Sequence, residues 1–344
     1  MHKELVNSKI NSRIFQSDLK SIIQRCEKVF CRFSGEKILI TGATGFIGTW
    51  LTYAFLMANK ELGCKIEVDI VYRDELKLKK IYSLNLNEIR NKFKFDLNVE
   101  SSLIPFENKS YGLLIHAASN TNYHLNQGTS TSTYNLLKMV KNQRNKPIFI
   151  YLSSGAVYGE LHVQKFPEIN LHSVPVPSKI YKNYALEKYL SEKLIEEATL
   201  GGEICGSYPR LFSFYGPFFP IRDQYAVSSF LMAGLSNKKI ELKGNPATTR
   251  SYLYPTDLIA AILKQTLSPS LFPTHIGSDK PIKMIELATM IDQITGNNGI
   301  EIRPSEQIAN HYVPEVLNTE SRIGTIQTVE IADGLERWRN FLAN

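Results

Sequence analysis

The sequence predicts an α/β fold in which a doubly wound parallel sheet is joined to a smaller mixed α/β domain. Three observations support this prediction. From Lys37 onward, apolar runs of strand length alternate with segments of helix length, the pattern of a parallel sheet covered on both faces. One of these runs ends in a glycine-rich turn that opens an apolar helix. After about residue 215, prolines, glycines and shorter apolar runs replace the alternation.

The individual elements follow in chain order. Residues 1–34 are polar, and DLKSIIQRCEKVF spaces its apolar residues as an amphipathic helix does. Such a helix can dock on the body of its own chain or on a partner, and we expect the first. The later strand-like runs are KILITG, IEVDIVYR, YGLLIHAAS and IFIYLSS, and the helix-like run after the first of them is FIGTWLTYAFLMANKEL.

The net charge of +7 is compatible with three kinds of partner, namely nucleic acid, a membrane surface or an anionic substrate. Lysine and arginine are spread along the chain and form no basic run. We therefore interpret the charge as scattered surface lysine and expect no nucleic acid partner.

The four cysteines form no C-x-x-C pair, and the seven histidines show no metal-site spacing. We therefore expect reduced thiols and no bound metal. The first ten residues lack the apolar core of a secretory signal, and no run of about 18 apolar residues occurs. These features predict a cytoplasmic protein that does not bind a membrane.

The strongest motif is TGATGFIG, which occupies residues 41–48 between a predicted strand and a predicted helix. Gly42 permits a tight turn, Gly45 lets the backbone approach a pyrophosphate, and Gly48 permits close packing of helix on strand. The N-terminus of the helix offers unpaired N–H groups and a positive dipole end to the phosphates. We expect a dinucleotide cofactor to bind at Gly42, Thr44, Gly45, Phe46, Ile47 and Gly48.

The G-x-x-G-x-x-G spacing resembles the extended branch of the short-chain dehydrogenase/reductase superfamily, the NAD-dependent epimerase/dehydratase family of nucleotide-sugar enzymes. IHAAS, residues 115–119, is similar to the family's fourth-strand motif, which implies that Ala117 and Ala118 lie beside the nicotinamide half of the cofactor. Asp96 stands where the family places an aspartate near the adenine. The resemblance runs from about Lys37 to the C-terminal region.

The resemblance also implies a domain organisation. A Rossmann-type NAD(P)-binding domain is expected over residues 35–215, after an N-terminal helical extension over residues 1–34. Residues 216–344 are then mainly a substrate-binding region, interleaved with the last elements of the Rossmann domain. Because this branch commonly dimerises through two helices of each chain, a homodimer is implied as well.

The motif YALEK places Tyr184 and Lys188 four residues apart, on one face of a helix. A free tyrosine has a pKa of about 10, and a nearby ammonium group and an oxidised nicotinamide both favour its phenolate. Tyr184 can then exchange a proton with a carbonyl or hydroxyl, and Lys188 would also hold the nicotinamide ribose. A second copy of the motif, Tyr189 and Lys193, is interpreted as ordinary helix surface, because only the first copy has Glu192 in the family's YxxxKxxxE register.

The run LSSGAVYGE, residues 152–160, follows a predicted strand and is similar to the family's serine motif, which ends in V-Y-G. Counted back from Gly159, the catalytic hydroxyl falls on Ser154, where the resemblance implies a hydrogen bond to the reacting oxygen of the substrate. Ser153 is then structural.

Two positions of this run argue against dehydration. In this run, sugar-nucleotide 4,6-dehydratases have a motif that resembles T-D-E, and UDP-glucuronate decarboxylases have one that resembles S-E. This chain has Gly155 and Ala156 at the carboxylate positions. No carboxylate is then available to protonate a leaving hydroxyl. The reaction type that remains is oxidation or reduction at a single carbon.

Two later runs resemble the family's substrate side. RLFSFYGPF, residues 210–218, is similar to R-x-x-N-x-Y-G-P, with Ser213 in place of the usual asparagine. GNPATTRSYLYPTDL, residues 244–258, is similar to the region whose arginine grips the nucleotide diphosphate, and Arg250 is the match. A guanidinium fork suits phosphate oxygens. We interpret His275, where family members commonly carry asparagine, as structural.

The end of the second strand bears on the choice of cofactor. An acidic residue there accepts hydrogen bonds from a ribose 2′-hydroxyl, whereas an arginine accommodates a 2′-phosphate. The chain reads VYRDELKLKK, with Arg73 at this position and Lys77, Lys79 and Lys80 close behind. We therefore favour NADP(H). If the strand ends one residue later, Asp74 takes the position and NAD(H) is the cofactor.

Three functions remain open. The first is a ketoreductase that reduces a 4-keto nucleotide sugar at C4. The second is a nucleotide-sugar 4-epimerase that retains NAD. The third is a non-catalytic NADP-binding sensor or scaffold, and the complete set of Ser154, Tyr184 and Lys188 argues against it.

Overall fold

The computed structural model describes residues 9–94, 96, 109–119, 128–141, 143, 145–159, 163–169 and 182–343. Its strands are β1 (Lys37–Thr41), β2 (Glu67–Tyr72), β3 (Asn91–Lys94), β4 (Leu113–His116), β5 (Ile148–Tyr151), β6 (Ser153–Ser154), β7 (Cys205–Ser207), β8 (Arg210–Leu211), β9 (Ile240–Leu242), β10 (Thr249–Arg250), β11 (His275–Ile276), β12 (Ile282–Lys283), β13 (Ile300–Ile302) and β14 (His311–Tyr312). Its helices are α1 (Arg13–Arg32), α2 (Phe46–Leu62), α3 (Glu75–Tyr82), α4 (Thr129–Val140), α5 (Lys182–Leu200), α6 (Ala226–Leu235), α7 (Pro255–Gln265), α8 (Met284–Thr295), α9 (Leu317–Ile323) and α10 (Ile331–Ala343).

Six strands form one parallel sheet in the order β3-β2-β1-β4-β5-β7. Alternate residues of β1 face different cores. Ile38 and Ile40 pack in the cluster that contains α2, whereas Leu39 packs with residues of α4 and α5. Helices therefore cover both faces, and the predicted doubly wound parallel fold is confirmed. The chain order reverses between β1 and β4, and open α/β sheets bind ligands in the crevice at such a point.

The N-terminal helix α1 docks on its own chain, as its amphipathic pattern predicts. Its apolar face is buried against α2 and α7. The Phe15 ring meets Trp50 of α2 edge to face, with 4.6 Å between centroids. Arg25 pairs at 2.5 Å with the buried carboxylate of Asp257 in the first turn of α7. Helix α1 thus joins the helix that follows the glycine-rich turn to the C-terminal part of the chain.

Two strands depart from the sequence-based expectation. Strand β3 was not predicted, because it lies at the sheet edge and its burial alternates with exposed Lys92 and Lys94. The run IFIYLSS forms two strands and not one. Its first four residues are β5 of the six-stranded sheet, whereas β6 pairs with β8 in a separate sheet of order β11-β8-β6. This break carries Ser153 and Ser154 out of the main sheet and places them beside α5.

Two further small sheets follow, of order β12-β10-β14 and β13-β9. In the first, Arg250 of β10 lies directly opposite Tyr312 of β14 in a parallel pair. The assignment of residues 216–344 to substrate binding stays a prediction. Within the described ranges, no helix has both the length and the apolar character needed to cross a bilayer.

Candidate active site

The glycine-rich turn joins β1 to α2, and two of its glycines are required by the chain itself. Gly42 has φ +69°, and a Cβ built there would lie 2.7 Å from the Ala118 backbone. A Cβ on Gly48 would lie 2.7 Å from the Ala43 Cα and would also meet the Gly42 carbonyl oxygen. These two glycines therefore let the turn approach the end of β4 and let α2 pack on the turn.

Gly45 differs, because it has φ −84° and is exposed. A Cβ there would meet only the Gly42 carbonyl oxygen within 4 Å, at 3.2 Å. This contact is tight, but it is less severe than the collisions at Gly42 and Gly48. The first α2 amide that bonds within the helix is Thr49 N–H, which donates to the Gly45 carbonyl at 2.9 Å. The preceding amides lack intrahelical acceptors, and the first turn carries no acidic side chain, so an anion fits at this end.

The other residues predicted to hold a cofactor surround this turn. Thr44 and Ile47 are half-buried. The Phe46 side chain turns inward and stacks on Phe214 with 5.3 Å between centroids, so only its backbone faces the open side. The Ser119 hydroxyl at the end of β4 is buried and has no hydrogen-bond partner among the described residues. A buried orphan hydroxyl beside the open turn fits a bound dinucleotide.

At the end of β2, Arg73 follows Tyr72 directly and is exposed. The neighbouring Asp74 is the N-cap of α3, and its carboxylate accepts the Lys77 N–H at 3.0 Å. Asp74 is therefore already engaged by the backbone. Asp96 is exposed and lies two residues beyond β3. Because β2 and β3 are parallel, Asp96 and Arg73 both lie at the carboxyl ends of these strands.

Three residues of helix α5, Tyr184, Lys188 and Glu192, are spaced one helical turn apart and face the end of β5 and all of β6. The Tyr184 hydroxyl is hydrogen-bonded to the Ser154 hydroxyl. The Lys188 ammonium donates to the Leu152 carbonyl at 2.6 Å. Ser153 Oγ donates to Glu192 Oε1 at 2.5 Å. The structure thus brings the predicted Ser154, Tyr184 and Lys188 together, and we call these three contacts the catalytic ladder.

The electrostatics of the ladder are dominated by burial. Burial raises the pKa of Tyr184 to about 12, against the opposing effect of the Ser154 hydrogen bond. Burial also lowers the pKa of Lys188 to about 7, although Glu192 opposes this shift. The expected lowering of the tyrosine pKa, which includes the effect of an oxidised nicotinamide, stays a prediction.

The second copy of the Y-x-x-x-K motif is not ordinary surface. Tyr189 is only 7% exposed and packs in an aromatic cluster with Tyr158, Phe166 and Phe212. This part of the interpretation was wrong because the small sheets cover a face of α5 that helical periodicity alone leaves open. Lys193 does point outward and pairs with a carboxylate one turn along the helix.

The space beside Gly155, where the sequence lacks a carboxylate, is occupied by aromatic residues that are distant in the sequence. A Cβ on Gly155 would lie 2.7 Å from the Phe212 ring and 2.7 Å from the Tyr312 hydroxyl. No acidic side chain fits there without displacing both rings. Sequence reasoning missed Tyr312, because nothing in the local sequence of β14 indicates that it meets residue 155.

Two residues, Arg250 and Ser213, were predicted from the sequence on the substrate side. Arg250 is half-buried, and its guanidinium donates to Asn310 Oδ1 at 2.7 Å. Ser213 is half-buried, and its carbonyl accepts the Leu253 N–H at 3.0 Å. His275 is fully buried and hydrogen-bonded through both ring nitrogens, which fits the structural role expected for it. In the described part of the chain, no group of three His, Cys, Asp or Glu side chains could hold a metal ion.

Comparison with known proteins decides the family. The model of the NAD-dependent epimerase/dehydratase family matches residues 38–270, which is more than half of the chain. The chain belongs to the NAD-dependent epimerase/dehydratase family. The match covers the turn, the ladder and Arg250.

Among relatives of this family, UDP-glucuronic acid decarboxylase 2 of Arabidopsis thaliana is 25% identical over 309 residues, covering 88% of this chain and 67% of the relative. The dTDP-D-glucose 4,6-dehydratase of Dictyostelium discoideum is 28% identical over 289 residues, covering 76% and 62%. An epimerase structure from Methanothermobacter thermautotrophicus aligns with a TM-score of 0.78 at 17% identity, covering 93% of this chain and 96% of that one. This structural likeness shows the shared fold of the epimerase/dehydratase family.

Proposed function

We propose that this chain is an NAD(P)-dependent oxidoreductase that acts at C4 of a nucleotide-activated sugar, and that its reaction is the reduction of a 4-keto sugar. The observation that carries the proposal is the catalytic ladder combined with the occupied position beside Gly155. The ladder supplies a hydroxyl pair for a carbonyl oxygen, whereas neither Gly155 nor Ala156 supplies a carboxylate that could expel a hydroxyl.

The dinucleotide, when bound at the glycine-rich turn, supplies the hydride that the sugar carbon takes up. Tyr184 donates its hydroxyl proton to the oxygen that becomes the C4 hydroxyl. Ser154 hydrogen-bonds Tyr184 and is placed to share the charge that develops on the oxygen. Lys188 holds the strand end through Leu152, and its ammonium lies 5.7 Å from the centroid of the Tyr184 ring.

On the substrate side, we assign Arg250 to the diphosphate and Ser213 to the wall of the sugar site. Arg250 lies across from Tyr312 in the small sheet, and Tyr312 in turn lies beside Gly155. A diphosphate held by Arg250 therefore leads its sugar towards Ser154 and Tyr184.

The second candidate is a 4-epimerase, which the family name and the UDP-glucuronic acid 4-epimerase structure from Bacillus cereus favour (TM-score 0.71, 23% identity, 89% of this chain and 99% of that one). It needs the same ladder, with the hydride returned to the other face of the sugar. Complete catalytic residues argue against a non-catalytic sensor.

The test offers the purified chain UDP- and dTDP-4-keto-6-deoxyglucose with NADPH or NADH, and UDP-glucose or UDP-glucuronate without added cofactor. Consumption of the reduced cofactor with formation of a 4-hydroxy sugar supports the reductase. Inversion at C4 with no net change in the nicotinamide supports the epimerase. Failure of every substrate contradicts both.

The cofactor assignment is a separate proposal, namely a preference for NADP(H). Arg73 is exposed at the end of β2, while the Asp74 carboxylate accepts the Lys77 N–H and caps α3. We expect a lower dissociation constant for NADP⁺ than for NAD⁺, and loss of that difference in Arg73→Ala. Equal or tighter NAD⁺ binding by the unaltered chain would contradict the preference and favour the epimerase.

We also propose a cytoplasmic homodimer. Helices α4 and α5 pack side by side, and each exposes an apolar residue, Tyr134 at 51% and Leu190 at 41%. Light scattering should give twice the mass of the 39.1 kDa chain.

A further inference from the structure

A series of hydrogen-bonded, buried polar side chains begins at Glu192, which makes the last contact of the catalytic ladder. Arg210 of β8 grips Glu192 with two hydrogen bonds, Nε to Oε1 at 3.0 Å and Nη2 to Oε2 at 2.7 Å. Both side chains are 2% exposed. Burying two charges is costly, and apolar residues of similar volume often stabilise a core equally well. A buried pair at this place therefore calls for a reason other than stability.

The hydrogen bonds beyond Arg210 run in one direction. Arg210 Nη1 donates to the Tyr158 hydroxyl at 2.8 Å, and this hydroxyl lies 2.6 Å from His275 Nε2. His275 Nδ1 lies 2.8 Å from the Glu315 carbonyl. A carbonyl only accepts, so Nδ1 carries the proton and Nε2 accepts from Tyr158. Burial lowers the pKa of His275 to about 3, so the ring is neutral and this order holds near pH 7.

We call this series of hydrogen bonds, which runs from Glu192 through Arg210, Tyr158 and His275 to the Glu315 carbonyl, the relay. Its two ends lie at the two halves of the candidate site. At one end, Glu192 accepts from Ser153, the neighbour of Ser154. At the other end, Glu315 lies three residues after Tyr312, the residue beside Gly155. The same segment is held at Phe166, whose N–H donates to the Val313 carbonyl at 2.8 Å.

We propose that Arg210, Tyr158 and His275 are positioning residues that hold the Tyr312 strand in register with the Ser154–Tyr184 pair. The proposal rests on the proposed function, because it assigns the two halves to proton transfer and to the sugar. Its physical basis is that a displacement of about 1 Å in a catalytic site can cost about 100-fold in rate. His275 joins the two sides, because its ring spans the distance from the Tyr158 hydroxyl to the Glu315 carbonyl.

The test compares two tyrosine variants that lose the same atom. Tyr158→Phe removes the hydroxyl that both Arg210 and His275 use. Tyr208→Phe removes a hydroxyl outside the relay, one that donates to the Leu271 carbonyl at 2.7 Å from a side chain that is also buried. Both variants should melt at a lower temperature than the unaltered chain. Only Tyr158→Phe should lose about 10-fold or more in kcat, with the dissociation constant of the cofactor unchanged.

Hydrogen exchange of the backbone amides in residues 311–316 is the second readout, and it requires no turnover. The relay predicts faster exchange there in Tyr158→Phe than in Tyr208→Phe. Equal kcat and equal exchange in the two variants would overturn the proposal. If the unaltered chain turns over none of the substrates, the proposed function fails and the exchange comparison still decides the relay. If Tyr158→Phe does not fold, His275→Asn takes its place with the same expected and contrary outcomes.

Discussion

The glycine-rich turn and the catalytic ladder both lie at the carboxyl ends of strands of the parallel sheet but are built by opposite means. The turn works by leaving out side chains, since a Cβ on Gly42 or Gly48 would collide with backbone. The ladder works through particular side-chain atoms, each within hydrogen-bond distance of the strand end. The turn should therefore fail when atoms are added, and the ladder should fail when single atoms are removed.

The largest effect is expected at the ladder. Tyr184→Phe removes only the phenolic proton, so turnover should fall about 10²–10⁴-fold while cofactor binding changes little. Tyr189→Phe is the matched control five residues along the same helix. It loses a hydroxyl but keeps its packed ring, and its turnover should stay near that of the unaltered chain. Steady-state rates and cofactor titrations measure both. A Tyr184→Phe enzyme that kept more than roughly a third of its activity would remove Tyr184 from the proton-transfer step.

The next effect separates two glycines of one turn. Gly48→Ala must push α2 away from the turn, and overpacking of this kind typically costs about 1–3 kcal/mol of folding free energy. Gly45→Ala has an allowed φ, and its Cβ meets only the Gly42 carbonyl oxygen, at 3.2 Å, so its melting temperature should fall less than that of Gly48→Ala. It should nevertheless weaken dinucleotide binding, because the methyl group stands where the pyrophosphate approaches. Equal melting temperatures for the two variants would show that the packing argument for Gly48 is incorrect.

The third effect is similar in size to the second and concerns the substrate side. Arg250→Ala should weaken binding of UDP or dTDP by about 1.5–3 kcal/mol, the scale of a hydrogen bond to a charged group. Cofactor affinity should not change. Calorimetry with each ligand separates the two, and the reverse pattern would move Arg250 to the cofactor side.

The same contrast explains how far the sequence could predict the structure. The turn is local, so its glycines and the bounds of α2 follow from a run of adjacent residues. The register of Tyr184, Lys188 and Glu192 also follows, because helical spacing is local. The contact of Tyr312 with Gly155 does not, since 157 positions separate the two residues.

Other departures have the same physical cause. Strand β3 was not predicted from the sequence, because an edge strand with one solvent-exposed face lacks a continuous apolar run. Tyr189 was assigned to the surface because periodicity identifies the faces of a helix but not how many of them tertiary packing covers. The two serines of β6 were joined to β5 because the change of sheet at Leu152 has no marker such as glycine or proline.

The central claim is that a hydride moves onto C4 of a nucleotide sugar, with Tyr184 supplying the proton. The most direct measurement follows deuterium from NADPH labelled at the transferred position of the nicotinamide into the product of a 4-keto nucleotide sugar. The account predicts one deuterium on C4 of the resulting 4-hydroxy sugar, and formation of this labelled product about 10²–10⁴-fold more slowly with Tyr184→Phe. A keto sugar recovered without label, or a dehydrated product, would contradict it.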